Sequence, residues 1–183
     1  MTARPGHTAQ RRRRAARSGS SAVEFALVGL PFFFMLFAIM EVGLIFVTDS
    51  VLDGAASETA RLVRTGQAAG SNMTAAQFKT QLCDEMGIFS GDCPSRASVD
   101  VRELTQFRNQ TPPDPMANGS SFDSSQLTYV TGQPGSLMLV RVWYKQPLIT
   151  PFLAQALSRL DDGSTMLIST KAFRNEPYTP ASS

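Results

Sequence analysis

Phe25–Val47 is a run of 23 residues with a single charged side chain, Glu41. As an α-helix it measures about 34 Å at about 1.5 Å per residue. That length matches a hydrocarbon core of roughly 30 Å crossed with some tilt. A secretory signal has an apolar stretch of about 7–15 residues that ends at a small-residue cleavage motif. Here the run is longer and Gly19 precedes it, so the span is expected to remain in the mature chain.

Charge sets the expected topology. Arg4, Arg11, Arg12, Arg13, Arg14 and Arg17 all precede Ser20, where no acidic residue occurs, whereas Asp49, Asp53 and Glu58 follow the span. The positive-inside rule then puts the N-terminus in the cytoplasm and the C-terminal body across the membrane. Removing those six arginines leaves 11 basic against 15 acidic side chains, about −4, so the basic character belongs to the leader. A mildly acidic body argues against nucleic acid as a partner.

Residues 1–19 show no periodicity and are expected to lack regular structure. Beyond the span, Val51, Leu52, Ala55, Ala56, Thr59, Leu62 and Val63 recur at helical spacing on one face. Asp49, Asp53, Ser57, Glu58, Arg61 and Arg64 take the other. One continuous helix is expected, membrane-spanning over about 25–47, then amphipathic, ending near Gly66 and Gly70. Thr74-Ala75-Ala76-Gln77 has the form of a capping box, with Phe78, Leu82 and Met86 lining the short helix it opens. Strands are expected from Val99 to about Leu104, from Leu137 to Ile149, and from Thr165 to Phe173. Residues 111–119 read as a loop, 151–160 as a short helix and Asp161-Asp162-Gly163 as a turn.

The predicted fold class is α+β, a long N-terminal transmembrane and amphipathic helix packed on a small antiparallel β-sheet. The predicted parts are a leader over 1–19, the long helix over 20–70, a periplasmic domain over 71–175, and a frayed tail over 176–183. The chain's two cysteines, Cys83 and Cys93, can close a short loop as a disulfide in an oxidising compartment, or can be two unrelated buried thiols. A metal site is disfavoured, because the single histidine, His7, lies in the leader.

Carboxylates near a bilayer need an explanation. Glu24 stands at the mouth of the span and Glu41 within it, where a charged side chain costs roughly 2.5–3.5 kcal/mol at the centre and less toward the end. Glu41 reads either as a polar contact with a partner subunit or as a protonated or snorkelling side chain. Pro31 removes one helical hydrogen bond and is expected to bend or loosen the helix.

Gly19-Ser20-Ser21-Ala22-Val23-Glu24-Phe25, at the boundary between leader and span, resembles the processing site of type IV prepilins of the Tad/Flp class. Ser21 to Pro31, then Ile39-Met40-Glu41-Val42-Gly43, then Ala55-Ala56-Ser57-Glu58-Thr59-Ala60-Arg61 resemble one branch, the TadE-like minor pilins or pseudopilins. Thr170-Lys171-Ala172-Phe173-Arg174-Asn175-Glu176-Pro177-Tyr178 is similar to that family's closing motif. The resemblance is dense over about 19–66 and absent over 74–135.

It implies cleavage between Gly19 and Ser20 by a prepilin peptidase, with Glu24 and Phe25 as recognition and assembly residues. It also implies an inner-membrane location. The implied partners are the peptidase, other minor pilins, the major Flp pilin, inner-membrane assembly proteins and the lipid bilayer. The appended domain points to a minor subunit, since a major Flp pilin is far shorter. The alternative is an uncleaved single-pass scaffold of a periplasmic or secretion complex. No cofactor is implied and an enzyme is not expected. Beyond the leader there is no histidine, no nucleophile elbow and no phosphate-cradling glycine loop.

Overall fold

The computed structural model describes residues 7–178 other than 109 and 118, with side chains from Ser21 onward other than Phe152. It comprises two compact units, Met1–Glu41 and Val42–Ser183. Helix α1 runs from His7 to Arg64 and includes Pro31. Residues 7–19, expected to be irregular, are helical. Arginine and alanine are strong helix formers, and extending an existing helix avoids the nucleation cost that a separate one would meet. The rest of the leader, residues 1–6, lies outside the described residues.

Past Glu41 the amphipathic pattern is realised closely. Leu52, Ala55, Ala56, Thr59, Ala60 and Val63 are buried, while Asp49, Asp53, Ser57, Glu58, Arg61 and Arg64 are exposed. The buried hydroxyls on this stripe bond backward along the helix, Thr48 Oγ1 to Leu44 O at 2.9 Å and Thr59 Oγ1 to Ala55 O at 2.7 Å. No buried donor is thereby left unmet at either site. Gly66, in the left-handed region at φ 78°, ends the helix, and its N–H donates to Val63 O.

Short helix α2 (Gln67–Gly70) leads to α3 (Ala75–Glu85), where Thr74 and Gln77 form the expected reciprocal cap. Phe78, Leu82 and Met86 are all fully or almost fully buried. Helix α4 (Cys93–Arg96) runs directly into strand β1 (Ala97–Leu104). Strand β2 (Leu137–Pro147), helix α5 (Pro151–Leu157) and strand β3 (Ser164–Arg174) complete the chain. The three strands form one antiparallel sheet in the order β1-β2-β3, with Val140 opposite Val101 on one side and Lys171 on the other.

One face of the sheet carries Ala97, Val101, Met138, Val140, Val142 and Tyr144. These join the α1 stripe and the α3 side chains in a single core. Each large side chain buried there contributes about 1.5–3 kcal/mol relative to exposure. A three-stranded sheet with one helical cover is the smallest arrangement that gives both elements a buried face. The fold is therefore α+β, with the later part of α1 packed on the antiparallel sheet.

The opposite face of the sheet is covered as well. The connection between β1 and β2 folds back over it, bringing Phe122 to 5.9 Å from Trp143. It also lays Thr128–Val130 alongside the outer edge of β1. There Val101 N–H donates to Thr128 O and Val130 N–H donates to Val101 O, both at 2.8 Å. That pairing occupies an edge that would otherwise present open hydrogen-bonding groups.

Cys83 and Cys93 are joined Sγ to Sγ, with Cα atoms 5.4 Å apart, tying the end of α3 to the start of α4. Closing a ten-residue loop stabilises by about 2–3 kcal/mol in the chain-entropy account. Reduction, or Cys83→Ser with Cys93→Ser, should lower the thermal midpoint accordingly. A midpoint insensitive to reductant would remove the bridge from the account of stability.

Candidate assembly segment and the clamps around it

Gly19, Ser20, Glu24 and Phe25 occupy consecutive turns of α1, with Glu24 and Phe25 both exposed. From Val23 to Val47 the helix turns most of its large apolar side chains outward. Only 6 % of its most apolar 18-residue window is buried, unlike the helix of a soluble core. By length and composition it can cross a membrane. Such a helix satisfies its own backbone groups, which is what a lipid environment requires of a lone segment.

Glu41 follows Glu24 by 17 residues, about 25 Å along a helix at about 1.5 Å per residue. The two carboxylates therefore belong to separate places. Glu41 is 8 % exposed. Cys83 and Cys93 lie elsewhere, in the compact unit that begins at Val42.

Residues 19–61 match the family model of TadE-like proteins. The chain carries a TadE-like domain. This family consists of pilus structural and assembly proteins, and its members associate with Tad pilus systems. No curated protein and no solved structure matches the chain.

The TadE-like domain stops one turn short of the end of α1, and the residues that hold that end come from the far C-terminus. Glu176 N–H donates to Arg64 O at 2.8 Å, while the Glu176 carboxylate sits 3.3 Å from Arg64 Nε. The Tyr178 ring lies over Gly66 so closely that a Cβ added there would fall 2.4 Å from it. Tyr178 Oη donates to Gly132 O at 3.3 Å. Asn175, 2 % exposed, donates through Nδ2 to the carbonyls of Thr131 and Gln133. Residues 176–178, expected to fray, instead link the end of α1 to the turn before β2. Pro177 and Pro180 read as a loose tail because the partners of Glu176 and Tyr178 lie more than forty residues away in sequence. The remaining tail residues, 179–183, lie outside the described residues.

A second cluster was not anticipated. Asp100 is fully buried on the covered face of the sheet. It accepts from Arg102 Nη2 at 2.7 Å and Nε at 2.8 Å, from Arg141 Nη2 at 2.8 Å, and from Thr128 N–H at 2.8 Å. Burial pushes this carboxyl up, but the hydrogen bonds from Arg102, Thr128 and Arg141 outweigh it and hold the group below its ordinary value. Arg141 also donates to Pro113 O and lies 4.7 Å above the Trp143 ring. Arg102 reaches Gln126 O. One carboxylate thus anchors three points of the connection between β1 and β2.

Asp53 on α1 accepts from Ser169 Oγ at 2.8 Å and Lys171 Nζ at 2.7 Å, so β3 is tied to the helix by polar contacts at its margin. Hydrogen bonds from Lys171 and Ser169 hold the Asp53 carboxyl below its ordinary value. Among the described residues no group of histidines, cysteines and carboxylates is arranged to hold a metal ion.

Proposed function

We propose that the protein is a minor pilin, or pseudopilin, of a Tad/Flp pilus, processed by a prepilin peptidase between Gly19 and Ser20. Residues 1–19 face the cytoplasm, the span rests in the inner membrane, and the folded domain lies in the periplasm. The observation that carries this reading is the position of one short motif. Gly19, Glu24 and Phe25 stand where a basic leader meets the apolar helix, inside the stretch that matches the TadE-like family.

The mechanism is non-covalent apart from the cut. Cleavage frees an α-ammonium at Ser20, and in a bundle of such helices that group pairs with Glu24 of a neighbouring subunit. Each charge then offsets the other's desolvation. The periplasmic domain selects other minor pilins, the major pilin and inner-membrane assembly proteins as partners.

N-terminal analysis of the membrane-bound protein tests the processing step. A chain beginning at Ser20 is expected, and a chain retaining Met1 would establish the uncleaved scaffold in its place. Gly19→Leu should block the cut, so continued cleavage at the same bond would refute the recognition site. Glu24→Gln should insert yet impair pilus assembly. Normal pilus production by that variant would count against the proposed charge pairing.

A further inference from the structure

The end of the span and α5 line one groove of about 480 Å³. Ile45, Phe46 and Asp49 form one wall, while Leu157, Arg159 and Ile168 contribute to the other. Phe46 is 69 % exposed, Ile168 47 % and Leu157 41 %, and Ile149, just before α5, is 82 % exposed. The α5 sequence, Pro-Phe-Leu-Ala-Gln-Ala-Leu, contains no charged residue. Scattered apolar side chains on a surface need no explanation, but Leu157 and Ile168 share this groove with Ile45 and Phe46, near the end of a helix segment apolar enough to cross a membrane.

We propose that Ile149, α5 and Leu157 form a bilayer-contact surface that enters the headgroup–acyl boundary beside the end of the span. The proposal rests on the reading of α1 as membrane-spanning. The argument for lipid as occupant is continuity. Phe46 is the last aromatic residue of the span, and Asp49 stands about 4.5 Å further along at about 1.5 Å per residue, so this groove is at the depth of the interface. Amphipathic segments lie there with their apolar side about 5–10 Å deep. Arg159 is exposed, and its long stem allows the guanidinium to reach lipid phosphates while the side chain crosses apolar surface. Asp49 in the same groove supplies an opposite charge, so the surface fits zwitterionic phosphates as well as anionic ones.

The test uses full-length protein in vesicles of phosphatidylethanolamine and phosphatidylglycerol, with doxyl-labelled lipid as quencher. A polarity-sensitive fluorophore is placed in turn at Ile149→Cys, Leu157→Cys, Phe37→Cys and Gln133→Cys. Phe37 reports the span and Gln133 the turn held by Asn175. The expected result is a blue shift and loss of emission on quenching at 37, 149 and 157, with none at 133. Quenching at 37 but not at 149 or 157 would overturn the surface and leave the span intact. Absence of quenching at 37 would overturn both readings. A blue shift at 157 that resists lipid quencher and grows with the protein-to-lipid ratio would assign the face to another protein, and equal quenching at 133 would remove its specificity.

Discussion

Asp100→Ala is expected to cost about 3–5 kcal/mol of unfolding free energy, the range for removing one partner of a buried ion pair. The variant strands two guanidinium groups whose side chains are 14 % and 11 % exposed, with no other carboxylate in ion-pair reach of either among the described residues. It also releases the Thr128 N–H. Urea unfolding of the detergent-solubilised protein, followed by the emission of its single tryptophan, measures the loss where it originates, since Trp143 packs against Arg141 and Phe122. Because the folded-state pKa of Asp100 lies below the ordinary 3.8, its contribution is whole at neutral pH. It is lost as the pH falls below that value through the depressed folded one. The gap between wild type and variant should therefore narrow on acidification. A gap that is small at neutral pH, or that widens in acid, would show that the cluster does not hold the covering loop.

Gly66→Ala is expected to be the second costly change. A left-handed backbone costs a residue with a Cβ roughly 1–2 kcal/mol. Here the new methyl also meets an aromatic ring within 2.4 Å, and a ring cannot bend aside as a flexible chain can. Displacing Tyr178 gives up its contact with Gly66 and its hydrogen bond to Gly132, for a total loss of about 2–4 kcal/mol. Tyr178→Ala separates the two effects. In that background Gly66→Ala should cost only the backbone part, so the double variant should be less destabilised than the sum of the singles. Additive losses would mean that the ring and the glycine do not act together.

Both predictions depend on contacts that sequence patterns do not reveal. Val99-Asp100-Val101-Arg102 alternates apolar and charged residues, the pattern of a strand with one wet face. The strand is present, but its second face is covered by a distant part of the same chain, making Asp100 a buried anchor. Nothing in the irregular, proline-rich connection between β1 and β2 announces where it will lie. Arg174–Tyr178 lies outside the stretch 19–61 that matches the family model, and its task was not legible. Only coordinates show that Asn175 holds a turn and that Tyr178 covers a glycine.

The features with local or periodic signals were readable. Leu52, Ala55, Ala56, Thr59 and Val63 declare a buried stripe because helical spacing converts directly into one face. Thr74 and Gln77 declare a helix start because their partners lie within one turn. A helix long and apolar enough to cross a membrane follows from length and composition. All of these depend on neighbours a few residues apart, so the order of amino acids alone decides them. Burial of Asp100, the meeting of Tyr178 with Gly66, and the groove between Phe46 and Leu157 each join segments distant along the chain. Such meetings depend on how whole elements pack, which is why they became visible only in three dimensions.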